Sequence, residues 1–252
     1  MRPCLRFPFV AFSLALRPPG LVYSFRYLST LLLGAILVTQ VATAQCGCNS
    51  PILIDYTGRG FHLTSATDGV VFDIEGDGSP VQLGWTAASS GNAFLALDRN
   101  GNGKIDNGQE LFGNYTPQPP SDYPNGFLAL AVFDKPENGG NGDGIIDKRD
   151  AVFSHLVLWI DENHDGVSQP EELHSLPALG VYSLGLEYKD SRHTDQFGNG
   201  FFYKGRVNPE GQPSDDRTDR VMYDVFFVQL GAQGQPFLCC QTCGGVNPFS
   251  TE

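Results

Sequence analysis

Basic side chains are the scarce class in this 252-residue chain, with 16 Lys and Arg against 28 Asp and Glu. Four of the sixteen (Arg2, Arg6, Arg17 and Arg26) fall in the first 44 residues, which hold no acid, so the other 12 face all 28 acids. A chain of net charge −12 without a local run of Lys or Arg is a poor partner for nucleic acid or an anionic membrane, because binding phosphate needs a basic surface. Apolar runs long enough to span a bilayer, about 20 residues, are lacking too. The nucleophile motif G-x-S-x-G, the zinc motif H-E-x-x-H and a phosphate loop are absent, and the five histidines are scattered.

Hydrophobic residues make up 41% of the chain, enough for one main domain with an extension. Arg26 precedes the apolar run Leu31 to Val38, and Ala42-Thr43-Ala44 supplies small residues suited to signal peptidase, so residues 1–44 read as a secretory signal. Acylation at Cys46 is the weaker alternative, handicapped by Gln45 where a small residue is expected. Cys46 and Cys48 near one end, with Cys239, Cys240 and Cys243 near the other, favour disulfides in an exported chain. A zinc site built from C-x-C plus C-x-x-C, or a tail with free thiols, are the alternatives.

What the sequence has in quantity is a repeated acidic loop. FDIEGDG, LDRNGNGKID, NGGNGDGIID and IDENHDGVS look like diverged copies of one unit. Calcium takes six to eight hard oxygens, and a twelve-residue loop supplies them from positions 1, 3, 5, 7, 9 and 12, with glycine at 6 for the turn. The stretch 161–172 fits this throughout with Asp161, Asn163, Asp165, Val167 through its carbonyl, Gln169 and Glu172. In 98–110 the matching residues are Asp98, Asn100, Asn102, the carbonyl of Lys104 and Asp106. Position 12 there is Gln109, and a one-residue bulge brings Glu110 to the ion. In the third loop Asn141, Asp143, Ile145, Asp147 and Asp150 take positions 3, 5, 7, 9 and 12. Gly139 stands at position 1, so Asp134 or Glu137 must fold back, and Asp134 is favoured because it follows an apolar run as the other opening aspartates do. Asp73, Glu75 and Asp77 make a half-loop with nothing acidic at position 12. His164, at position 4 of the best loop, is expected to face solvent.

PILID, GVVFDI, AFLALD and LVLWI read as strands running into these loops, and Asn125–Phe133 and Lys148–Leu156 as helices. From Val181 the pattern turns to strands, with a hairpin turn at QFGNG. The expected fold class is α+β, small strands and short helices organised around EF-hand-like calcium loops, with a C-terminal β extension. The expected domains are a signal peptide at 1–44, a calcium-binding domain at 45–188, and a β extension with a Cys-rich tail at 189–252.

From Ser50 to about Tyr188 the chain resembles the calcium-dependent self-processing module of iron-regulated RTX-type secreted proteins. The stretches that carry the likeness are PILIDYTGRGF, GVVFDIEGDG, GWTAASSGNAFLALDRNGNGKIDNGQELFG, NGFLALAVFD, GDGIIDKRDAVF and WIDENHDGVSQPEEL. The resemblance implies an exported domain folded around several calcium ions, with Asp98, Asn100, Asn102, Asp106, Glu110, Asn141, Asp143, Asp147, Asp161, Asn163, Asp165 and Glu172 as ligands. It also implies cleavage of an Asp-Pro bond, in which the Asp carboxylate attacks its own peptide carbonyl. Here Ser50 precedes Pro51 and has no carboxylate to make that ring. The expectation is therefore a secreted, non-catalytic calcium-binding protein, with an extracellular protein or glycan as its further partner. An extracellular hydrolase is the competing reading.

Overall fold

Short apolar runs closed by Gly and Asp become the strands of this protein, because each run is long enough to cross a sheet once and ends in residues that turn. The computed structural model describes residues 49–209, 220–231 and 233–237, all within the unit Ala44–Glu252. Residues 1–44, where a secretory signal is expected, and the five cysteines beyond them, with the disulfide, zinc and acylation expectations, lie outside the described residues.

In chain order the strands are β1 (Ile52–Asp55), β2 (Val70–Phe72), β3 (Val81–Leu83), β4 (Asn92–Leu97), β5 (Ile145–Asp147), β6 (Leu156–Trp159) and β7 (Leu173–Ser175). They continue as β8 (Ser183–Gly185), β9 (Lys189–Thr194), β10 (Gly200–Arg206), β11 (Val221–Phe226), β12 (Gln229–Leu230) and β13 (Pro236–Phe237). Among the described residues a single α-helix, α1 (Gly126–Ala131), stands between β4 and β5. Seven strands form the main sheet in the order β7-β6-β4-β1-β11-β10-β9; β13-β12-β3-β2 make a second sheet and β5-β8 a third. Neighbouring strands run antiparallel throughout.

The central strands are apolar at nearly every position because both faces of the main sheet are covered. Ile52 and Ile54 of β1, with Ala93 and Leu95 of β4, enter one core beside α1. Leu53, Phe94 and Ala96 point the other way into a second core, with Trp85 and Trp159 at its centre. The Trp85 ring lies 4.3 Å from Phe94, 5.1 Å from Phe72 and 5.6 Å from both Trp159 and Phe227, centroid to centroid.

The expected α+β class is wrong: the described residues form antiparallel sheets with one six-residue helix. Asn125 starts that helix, its side chain accepting from the Leu128 amide at 3.0 Å. Val132–Asp134 then tightens to a 3₁₀ turn, and Pro136 prevents continuation. The run 148–156, although spaced as a helix, yields only a 3₁₀ turn at Ala151–Ser154 before Leu156 pairs with Leu97 in the sheet. Ladder pairing with β4 outweighs a weak helical preference there. Nor are the later strands an extension: β11 pairs with β1 in the middle of the main sheet, Ile52 opposite Asp224.

Candidate functional site

Strand ends deliver aspartates into turns, and each such carboxylate is caught by the backbone of its own loop. Asp98 accepts from the amides of Gly101 at 2.7 Å and Gly103 at 2.7 Å. Asp161 accepts from Asp165 at 3.1 Å and Gly166 at 2.9 Å. Asp73 accepts from Gly76 and Gly78, each at 2.9 Å, and Asp55 from Gly58 at 2.8 Å and Gly60 at 2.6 Å. The amide that closes each turn belongs to a glycine with φ between 72° and 92°, a region costly for other residues. Asp134 joins this set across a longer gap, holding Gly142 and Gly144 at 3.0 Å each.

Inside the three complete loops the middle residues repeat one local device, a side-chain oxygen accepting from the amide two residues on. Asn100 accepts from Asn102 and Asn102 from Lys104, both at 2.9 Å. Asn163 accepts from Asp165 at 3.0 Å and Asp165 from Val167 at 2.8 Å. Asn141 and Asp143 do the same for Asp143 and Ile145 at 3.0 Å each. These bonds hold the six side chains, all of them exposed, against the backbone of their own loop.

A buried carboxylate closes each loop. Glu172 accepts from the amides of Glu162 at 3.0 Å and Gln169 at 3.3 Å, and from the Trp159 indole at 3.2 Å. Glu110 accepts from Arg99 at 3.1 Å and Asp106 at 2.8 Å, the corresponding place, while Gln109 turns away to the Gly76 carbonyl at 3.0 Å. Asp150 accepts from Asn141 at 3.2 Å and Asp147 at 2.8 Å. Burial raises the pKa of Asp150, and these amides act against the rise. Two loops are clasped together, the Ile105 amide donating to Ser168 Oγ at 2.7 Å.

The loop interiors are bridged by hydrogen-bond donors. Asn102 Nδ2 lies 2.6 Å from Asp106, Gln169 Nε2 2.9 Å from Asp165, and Asn163 Nδ2 2.9 Å from Asp165. In the third loop the Arg149 guanidinium spans Asp143 at 2.6 Å and Asp147 at 2.7 Å. Its hydrogen bond to Asp147 is the main reason that carboxyl titrates below the usual range. Among the described residues no group of three or more His, Cys, Asp or Glu is gathered so as to hold a metal unaided. Gln169 Oε1, one of several buried polar atoms without a hydrogen-bond partner, lies in the loop whose other oxygens come from Asp161, Asn163, Asp165 and Glu172. This donor set, carboxylate and amide oxygens with no sulfur or imidazole, fits a hard cation.

His164 does not face solvent as its loop position suggested. At φ 60° its ring reaches back, Nδ1 lying 2.8 Å from the Thr86 carbonyl and Nε2 2.7 Å from that of Asp68. Asp161 is anchored from the same side by the Trp85 indole, which donates to it at 2.7 Å.

Sequence reasoning passed over Asp224, although a lone acid inside VMYDVFF was a signal. Its side chain is fully buried and accepts from the Gly126 amide at 2.9 Å. Burial pushes its pKa up to about 7, with the Gly126 amide and the Ser50 hydroxyl pulling the other way. Ser50, also buried, is fixed by Asn114, whose Oδ1 accepts from the Ser50 amide at 2.8 Å. A carboxyl whose pKa is higher folded than unfolded favours folding below its unfolded value of 3.8 and loses that contribution as pH rises to about 7. Asp224→Asn is therefore expected to raise the denaturation midpoint at pH 8 and to flatten its fall between about pH 4 and 7. Urea titrations across that range check this; parallel pH profiles for the two proteins would refute it.

An antiparallel β fold carrying aspartate-opened, glycine-turned loops defines the class. The chain belongs to the SPM domain family, whose family model matches residues 52–228. It is similar to the iron-regulated protein FrpA of Neisseria meningitidis serogroup C, at 42% identity over 143 residues. That match covers 56% of this chain but 12% of the relative's length. The family resemblance read from the motifs is thereby shown, whereas calcium dependence and self-processing rest on neither comparison.

Proposed function

We propose that the protein is an exported, non-catalytic module whose folded state is stabilised by calcium. The observation that carries this reading is the threefold repetition of one arrangement: an opening Asp fixed by its loop's amides, Asx side chains accepting from the amide two residues on, and a buried closing acid. The ion would be held by Asp161, Asn163, Asp165, Gln169, Glu172 and the Val167 carbonyl in one loop. Asp98, Asn100, Asn102, Asp106, Glu110 and the Lys104 carbonyl would serve the second. In the third, Asp134, Asn141, Asp143, Asp147, Asp150 and the Ile145 carbonyl are the candidates, with Arg149 as a competing cation. Bound calcium supplies positive charge among carboxylates that otherwise repel, and the donors themselves are already oriented by hydrogen bonds to their own backbone.

Export is supported by the leader-like composition of residues 1–44 and by the family likeness. No helix among the described residues is long and apolar enough to cross a membrane. The non-catalytic reading is supported by Ser50, whose hydroxymethyl side chain stands before Pro51 where an attacking carboxylate would be needed. An extracellular protein or glycan is the partner class we expect for such a module.

Equilibrium dialysis with calcium, read by atomic absorption, tests this directly. About three ions per chain are expected on the loop count, and Glu172→Gln should remove one. Mass spectrometry of the calcium-loaded chain should find the Ser50–Pro51 bond intact. Failure to retain any calcium at millimolar concentration would end the metal reading, and cleavage at that bond would end the non-catalytic one.

A further inference from the structure

Basic residues that look dispersed along the sequence are gathered by the β9–β10 hairpin. Lys189 and Lys204 are direct cross-strand partners, and Arg206 follows two residues on, on the same side of its strand. All three are exposed and line a cleft of about 540 Å³, with Asp143, Gly185 and Glu187 among its other walls. None of the three cations makes an ion pair with a described residue. Asp143 is already bridged by Arg149, while Lys204 Nζ sits 5.6 Å over the Tyr223 ring. Like charges facing each other across an antiparallel pair destabilise a sheet. With 28 acids in the chain, neutralising partners were abundant, yet the cleft keeps three cations against one uncommitted carboxylate, Glu187.

We propose that this cleft binds a compact oxyanion, a sulfate or phosphate group carried on a small ligand. The volume falls in the usual range for small-ligand sites. Arg206 offers a planar fork suited to two oxygens of one tetrahedral anion, and the two lysines offer point charges at either side. A long polyanion is disfavoured because the molecule around the cleft is strongly acidic and repels it. The cleft borders the third loop, with Asp143, Gly144 and Ile145 in its wall, but its three cations stand on the β9–β10 hairpin and do not need calcium in any loop.

The test is calorimetric titration of the full chain in calcium-containing chloride buffer with inorganic sulfate, glucose 6-sulfate and glucose 6-phosphate. Saturable binding is expected for at least one probe, weakened at least tenfold by Lys204→Glu or Arg206→Gln and left within about twofold by the remote Arg59→Glu. Sulfate binding as tightly as the sugar esters assigns the site to the free anion; preference for an ester assigns it to a sugar-borne one. Lys189→Glu creates an opposite-charge pair with Lys204 and should raise Tm by about 1–3 °C while weakening binding, a readout independent of the titration. No saturable binding by any probe up to about 10 mM, or equal affinity in wild type and Lys204→Glu, would overturn the proposal.

Discussion

Transfer from 10 mM calcium to EGTA is expected to lower Tm by roughly 5–10 °C for each occupied loop. The estimate follows from mass action: extracellular modules bind calcium at about 0.1–1 mM, so at the tight end 10 mM is about a hundredfold excess, worth about 2.7 kcal/mol per site. For a unit of this size 1 kcal/mol moves Tm by about 2–4 °C. The best-formed loop, 161–172, should account for the largest share, since its opening and closing acids are both buried and Gln169 Oε1 is left without a partner. The third loop should contribute least, because the ion must displace Arg149 from Asp143 and Asp147. Scanning calorimetry on wild type, Asp161→Asn and Asp150→Asn separates these shares. Superimposable transitions in calcium and EGTA would mean that the loops are turns held by their own amides and nothing more.

Trp85→Ala is expected to cost about 3–5 kcal/mol, the range for deleting a fully buried large aromatic side chain. Four aromatic rings lose a neighbour, and Asp161 loses the indole that fixes it. Trp85→Phe separates the two effects: it keeps much of the packing but strips the hydrogen bond from a buried carboxylate, about 1–3 kcal/mol. If Trp85 links core to loop, Trp85→Phe also weakens calcium affinity at 161–172 while leaving 98–110 nearly unchanged. Urea denaturation with and without calcium measures both. An unaltered calcium response in Trp85→Phe would show that core and loop are energetically independent.

The loops were legible in the sequence because all their parts lie within a few residues of one another, and spacing alone dictates which side chains can meet. Even the third loop yielded to local reasoning: Asp134 follows an apolar run like the other opening aspartates, and the structure gives it the same amide contacts. β1, β4 and β6 were readable for a similar reason, as short runs apolar on both faces. The helices were overread. GFLALAVF and DAVFSHL carry helical spacing, but in segments this short the spacing does not outvote a proline or a strand partner. Strand order was invisible, since β1 joins β11 through residues far apart in the chain and no local pattern records that choice. His164 and the Lys189–Lys204–Arg206 cleft were missed on the same ground: each depends on a neighbour delivered by tertiary structure.

The central position of β1 bears on when the protein can fold. Its ladder needs β4 on one side and β11 on the other, so the first strand of the sheet stays half-paired until nearly the whole chain is available. Closing so long a loop precedes the reward of the contact, which makes such a topology slow to form and intolerant of a missing C-terminal third. A chain emerging N-terminus first through a membrane pore would therefore leave the main sheet incomplete until β11 had followed.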